Sequence, residues 1–302
     1  MCDVASWAQC IIPARQFQRA MKQILVTGAT GTVGRQVVSQ LLATDVRVRA
    51  LTRDPASANL PDAVEVRRGD LTVRETLDAC LHGVDVVFLV WTAGPGAVAM
   101  AVDRIAKYAR RIVFLSSPHQ TPHPLFQQPN PLAAMHAEIE RSIHASGLDW
   151  TFLRPGMFAA NARSWWAQQI RAGDVVRWPY ADAPTAPIHE ADIAAVAVSA
   201  LLETRHNRAD YVLTGPQSLS QREQVEIIGD VIGRSLRFEE ISPEAARQEL
   251  GFPLLAVNML LNAWAAAIGQ PALVTSTVGD ITGNPARSFR DWVIDHVAEF
   301  KS

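Results

Sequence analysis

The stretch ILVTGATGTVGRQVV, residues 24–38, decides the fold. Residues 23–27 read as a short apolar strand, Gly28 to Gly34 as a glycine-rich turn, and residues 35–43 as a helix. Val37, Val38, Leu41 and Leu42 form the inward stripe of that helix. The glycines keep a GxxGxxG spacing between a strand and a helix, the context that a dinucleotide-binding turn requires. Glycine lets the backbone approach a pyrophosphate, and the helix beyond it offers free N–H groups and the positive end of its dipole. The turn residues Gly28, Thr30, Gly31, Thr32, Val33 and Gly34 are therefore candidate cofactor contacts. A tight turn without a ligand is the competing reading, and the strand–turn–helix context argues against it.

Downstream of this unit, strands and helices alternate. Strands are expected at 46–52, 64–67, 84–90 and 112–116, with helices at 73–81 and 98–110 between them. Such alternation implies right-handed crossovers and a parallel sheet. The runs VDVVFLV (84–90) and RIVFLSS (111–117) are apolar along most of their length, as strands covered on both faces must be. Helix 132–146 should end at Gly147 and lead into strand 150–153. Beyond Arg154-Pro155-Gly156 the texture changes, and Trp165, Trp166, Trp178 and Tyr180 crowd together. A helix at 191–203 and a strand at 211–214 then rejoin the sheet, and 218–300 reads as mostly helical. The expected architecture is an α/β, doubly wound parallel-sheet Rossmann fold with a smaller, interleaved, mostly helical lid domain. The sheet domain would take 21–155, completed by about 191–214, and the lid 156–190 and 215–302. Residues 1–20 read as a disordered extension.

Composition narrows the function. At 302 residues, 48% hydrophobic and 19% charged, the chain is too apolar to be disordered. Its 28 basic and 30 acidic residues create no basic field for nucleic acid or an anionic membrane. Cys2, Cys10 and Cys80 form no CxxC pair, and no carboxylates stand at ligand spacing, so neither a disulfide framework nor a metal site is expected. The first residues lack the charge-then-apolar order of a secretory signal. The apolar run 252–268 sits at the lower limit of spanning length and carries Asn258 and Asn262. It reads as a buried helix or the wall of an apolar pocket. A soluble, cytoplasmic protein is expected, as monomer or homodimer.

The end of the second strand selects the nicotinamide cofactor. An acidic residue there would take the ribose 2′-hydroxyl, and an arginine a 2′-phosphate. Arg53 stands at that place, with Arg35 as a second phosphate partner, which favours NADPH and leaves NADH possible. Arg53 as a solvated arginine, or one stacked on adenine, stays open. Asp70 and Leu71 lie where the adenine would pass, though a turn aspartate capping the next helix explains Asp70 equally well.

TGATGTVG (27–34), ALTRDP (50–55), GDL (69–71), FLSS (114–117) and HAEIERSIHASGLDWTFLRPGMFAAN (136–161) together resemble the NmrA-like, atypical short-chain dehydrogenase/reductase group. PIHEADIAAVA (187–197) and VTSTVGDITGNPARSFRDWV (274–293) extend the resemblance, which runs from about Lys22 to Phe300. That group contains NADPH-dependent quinone oxidoreductases and redox-sensing regulators. The resemblance implies a cofactor lying across the strand ends, beside Trp91, Thr92, Ser116 and Ser117, with Pro155 and Gly156 near the nicotinamide. One departure matters. A typical short-chain dehydrogenase uses a Tyr-x-x-x-Lys pair, whereas here Tyr108, Tyr180 and Tyr211 have no lysine four residues on, and His136 and Glu140 occupy the corresponding place.

Hydride transfer needs orientation more than a protein nucleophile, because the cofactor carries the chemistry. His136 is the leading candidate acid, since imidazole titrates near neutral pH; a ribose hydrogen bond or simple packing are its alternatives. His119 and His123, in the loop SSPHQTPHPLF (116–126), are further candidates. Phe158, Trp165, Trp166 and Trp178 would wall a flat hydrophobic substrate next to Ser117, unless they simply pack the lid. Asp192 reads as a helix N-cap. These residues point to an NAD(P)H-dependent oxidoreductase acting on an aromatic, quinone-like or polycyclic molecule. The alternative is a cofactor-sensing regulator without turnover.

Overall fold

The computed structural model describes residues 21–301, so the expectation for residues 1–20 falls outside the described part. The strands are β1 (Lys22–Val26), β2 (Val46–Thr52), β3 (Glu65–Arg68), β4 (Val86–Leu89), β5 (Arg111–Leu115), β6 (Asp149–Pro155), β7 (Val175–Trp178), β8 (Pro184–Thr185), β9 (Ala209–Leu213), β10 (Leu219–Ser220) and β11 (Arg237–Glu240). The helices are α1 (Thr32–Leu41), α2 (Arg74–Leu81), α3 (Val98–Tyr108), α4 (Pro131–Ala145), α5 (Asn161–Ala172), α6 (Glu190–Leu202), α7 (Gln221–Ile232), α8 (Pro243–Glu249), α9 (Leu254–Ala267), α10 (Thr277–Thr282) and α11 (Phe289–Asp295).

Seven strands form one parallel sheet in the order β3-β2-β1-β4-β5-β6-β9, a doubly wound Rossmann fold. Both faces of its central strands are apolar because both are covered. Ile24 and Val26 of β1 pack with Val37 and Leu41 of α1 and with Ile193 and Ala197 of α6. Leu25, on the opposite face, joins Leu77 of α2, Ile105 of α3 and Ile143 of α4. A third apolar cluster, built largely from residues 159–183 and 225–300, holds Trp166, Trp178, Trp264 and Trp292 fully buried. Helix α4 begins on an Asn130 cap and ends before Gly147, whose φ of +78° supplies the expected left-handed residue.

The C-terminal part also contains pairing that the sequence reading did not anticipate. Strand β11, with the sequence Arg-Phe-Glu-Glu, runs parallel to β7, and β8 pairs with β10. Helix α9 is a packed helix, with Val257, Leu261 and Trp264 buried, and no helix among the described residues is long and apolar enough to cross a membrane. Asp192 is not the N-cap of α6. His189 caps it, its Nδ1 accepting from the Ala191 N–H, while the Asp192 carboxylate accepts from the Arg287 backbone N–H and guanidinium. The helix begins at Glu190, one residue before the expected start at 191, so Asp192 falls inside the first turn.

A second latch joins α6 to α11. Glu190 is 2% exposed and accepts from Trp292 Nε1 at 2.9 Å, with His296 Nε2 3.1 Å away. The Glu190 carboxylate lifts the His296 imidazole above its ordinary pKa, and the Trp292 carbonyl adds to this. A raised folded-state pKa gives stability that is complete below the unfolded value and disappears as pH rises through the folded one. Urea unfolding should therefore show the midpoint falling from about pH 6 towards pH 9. His296→Ala should flatten that slope and cost about 2 kcal/mol at the lower pH. A wild-type midpoint that does not change over this range would contradict the latch.

Candidate active site

The strand order reverses between β1 and β4, and the crevice at such a switch point is where doubly wound sheets bind ligands. The glycine turn lies there. Gly28 has φ +60°, and a Cβ on it would stand 2.9 Å from Val90 Cβ. Gly31 is the N-cap of α1, and a Cβ on Gly34 would fall 2.1 Å from the Gly28 carbonyl oxygen. No acidic residue occupies the first turn of α1, whose leading N–H groups lack helical acceptors. Gly28, Gly31, Thr32, Val33 and Gly34 line one side of a cleft of about 300 Å³, opposite Phe158, Asn161 and Arg163. This arrangement fits a nucleotide pyrophosphate on free backbone donors. Thr30 is exposed and its carbonyl accepts from Arg35 Nε, so it supports the turn from outside the cleft.

The adenine-side candidates lie at the ends of β2 and β3, outside that cleft. Arg53 is exposed, and Arg68, across the β2–β3 register from Thr52, brings a second exposed guanidinium to the same edge. The sequence reading missed Arg68, because strand pairing alone places it there. Arg35, the second expected phosphate partner, spends three of its five N–H donors within the protein. Its guanidinium donates to the carbonyls of Thr30, Asn59 and Ala58, pinning the 53–59 loop to the glycine turn. The Asp70 carboxylate accepts from the Thr72 N–H and hydroxyl, bonds that hold its pKa below the usual carboxylate range, so it caps a turn. Leu71 and Trp91 are buried in the sheet core, whereas Thr92 is exposed.

A second cavity, of about 260 Å³, opens beside the cleft. Ser116, Ser117 and His119 form one wall, with Leu125 and Phe126 from the same loop. His136 and Ala133 of α4 form another, and Pro155, Gly156 and Met157 a third. Met259, Leu260 and Ala263 of α9 complete it. Phe158 lines both the cleft and this pocket, and Leu115 of the cleft adjoins Ser116 of the pocket, so the two cavities meet there.

Beneath the pocket lies a buried ion pair. Glu140 accepts from Arg154 Nη2 at 2.7 Å, from Arg154 Nε at 3.0 Å and from the Ser116 hydroxyl at 2.6 Å. Ser116 thus turns its hydroxyl toward Glu140. His136 sits edge-on to Phe114, and burial, helped by the nearby His119 charge, pushes its pKa down to about 4. It is therefore neutral at pH 7 and holds no imidazolium proton to give, which removes the acid role expected for it. His123 is engaged by the Leu125 N–H and the Pro271 carbonyl and does not line the pocket.

The tryptophans do not form the pocket wall that the sequence suggested. Trp166 and Trp178 are 0% and 1% exposed, packed with Trp264 in the third core. Trp165 packs edge-on against Trp166 and Trp264 and lines a separate surface cavity. Large aromatic surfaces find more burial in a core than at a pocket rim. The wall residues are instead the smaller apolar side chains of the 116–130 loop and α9. Leu125 and Phe126, next to the two loop histidines, were the signal available in the sequence.

Residues 28–204 match a family model described as NAD(P)H-binding. The chain is 40% identical over 286 residues to the (4-alkanoyl-5-oxo-2,5-dihydrofuran-3-yl)methyl phosphate reductase of Streptomyces griseus, covering 92% of this chain and 99% of that protein. It is 35% identical over 285 residues to the NAD(P)H azoreductase of Xenophilus azovorans, with the same coverage. The NADPH-dependent quinone oxidoreductase of Escherichia coli, solved with NADPH bound, superposes with a TM-score of 0.75 at 24% identity, covering 91% of this chain and 99% of the other.

Proposed function

The chain belongs to the NAD(P)H-binding family and is an NAD(P)H-dependent oxidoreductase of the atypical short-chain dehydrogenase/reductase type, and from that premise we propose that it reduces small, flat, uncharged conjugated carbonyl compounds, quinones and enones among them. The observation that carries this reading is the apolar pocket meeting the glycine cleft at Phe158. A cavity of about 150 Å³ accepts benzene, so one of about 260 Å³ suits one substituted ring or two fused ones.

Neither Lys nor Arg is among the residues lining the pocket. An acceptor carrying a phosphate, as in the name of the Streptomyces griseus relative, would find no permanent cation there to offset its charge. A regulator that only senses cofactor has no use for an apolar chamber beside the nicotinamide end, and the relatives named above are reductases.

When bound, NAD(P)H supplies the hydride. The glycine turn and the α1 N-terminus would hold its pyrophosphate, and Arg53 and Arg68 would supply positive charge to its adenosine phosphate. Phe158, Pro155 and Met157 keep water from the reacting carbon, which strengthens every polar contact made inside.

The test follows reduced-nicotinamide absorbance with purified protein against neutral quinones, enones and their phosphorylated analogues. Oxidation that depends on both protein and a neutral acceptor supports the reading, and turnover confined to the phosphorylated compounds sinks it. Arg53→Ala should raise the KM for NADPH about tenfold, a loss of about 1.4 kcal/mol, and leave that for NADH within about twofold. Equal effects on both cofactors would remove Arg53 from the 2′-phosphate.

A further inference from the structure

Three buried polar atoms on the pocket wall have no hydrogen-bond partner among the described residues: Ser117 Oγ, His119 Nε2 and His136 Nδ1. Eight further buried polar atoms among the described residues also lack a partner, but only these three belong to residues lining the pocket, where a ligand's polar atom can complete them. Of the two histidines, His136 is held neutral by its burial. His119 is differently placed. Its Nδ1 lies 2.9 Å from the Ser117 carbonyl oxygen, which can only accept, so Nδ1 carries a hydrogen. Its Nε2 lies 3.6 Å from Glu140 Oε2, on a side chain that is 9% exposed and belongs to the pocket lining. Glu140 accepts from two Arg154 nitrogens and the Ser116 hydroxyl, which fixes the position of its carboxylate beside the ring.

We propose that His119 is the proton donor of the reduction, delivering its Nε2 proton to the carbonyl oxygen of the acceptor, and that Glu140 is the residue that positions it. The inference rests on the function proposed above. With an enone, the β-carbon gains the hydride with its electron pair, and the C=C π pair shifts to the bond between the α-carbon and the carbonyl carbon. The carbonyl π pair moves to oxygen and takes the proton from Nε2, giving the enol. His119 is left neutral, with its remaining hydrogen on Nδ1, and recovers a proton from water. The titratable groups facing it are Glu140 and His136 of α4, with Arg154 of β6 behind Glu140.

The experiment compares the wild type with His119→Gln on an enone and on a quinone, across about pH 5 to 9. The quinol monoanion is a far weaker base than an enolate, so an acid matters less to its formation. His119→Gln should lower kcat about 100-fold or more on the enone and less than about tenfold on the quinone, with the Kd for NADPH within about twofold. The wild-type kcat should fall as pH rises, and that limb should vanish in the variant. Nitrogen NMR of the wild type should show the His119 Nε2 resonance shifting when a non-reducible phenol is added. Equal losses on both acceptors, or an unchanged rate, would overturn the proposal. So would a wild-type profile without an alkaline limb or an unmoved Nε2 resonance, two readouts that need no variant. A wild type that reduces neither acceptor overturns the functional reading itself.

Discussion

Gly34→Ala is expected to raise the Kd for NADPH about 100-fold or more, equivalent to at least about 2.7 kcal/mol. A methyl group there would stand 2.1 Å from the Gly28 oxygen and 2.7 Å from its carbonyl carbon. Both are backbone atoms, so no side chain can rotate away. The turn must open, and the space around Gly28 is limited: an added Cβ there would stand only 2.9 Å from Val90 Cβ. The α1 N-terminus then retreats from the pyrophosphate. Gly96→Ala is the control: nothing stands within 4 Å of its added carbon, and it should change binding and stability by less than about 0.5 kcal/mol. Isothermal titration with NADPH reads both. A Gly34→Ala protein that binds like the wild type would mean that the turn does not carry the nucleotide.

The second large effect concerns stability. Arg154→Met should destabilise the fold by about 3–5 kcal/mol, because it leaves the Glu140 carboxylate charged, buried and unpaired. In thermal unfolding this corresponds to a fall in Tm of about 5–8 °C. Arg154→Met combined with Glu140→Gln removes the orphaned charge and should recover more than half of the loss. If the single and double variants melt together, the pair does not carry the stability assigned to it.

That pair also marks where the sequence stopped being informative. Alternation of apolar runs and the glycine spacing at 28–34 determine local structure, so the parallel sheet, its return through β9 and the glycine turn were all legible. Glu140 was visible only as the residue standing where the larger family keeps a lysine. Its partner is fourteen positions away on β6, and nothing periodic connects them. Trp165, Trp166 and Trp178 misled for a related reason. Aromatic density in a sequence reports how much surface needs burying and says nothing about which cavity it borders. The actual pocket wall comes from four segments, the 116–130 loop, the first turns of α4, residues 155–158 and α9, which meet only through the tertiary fold. His136 failed through its surroundings: an imidazole's ordinary pKa gave it an acid role, and burial against Phe114 withdrew it.

The most direct test of the account follows the hydride itself. NADPH carrying deuterium at the transferable position, prepared separately for each face, is incubated with the protein and a neutral enone, and the product is examined by mass spectrometry. The account predicts one deuterium in the product from one face of the cofactor and none from the other, because Phe158 and the pocket admit the acceptor on a single side. Product formed without deuterium from either face, or with deuterium from both, would contradict direct transfer into this pocket.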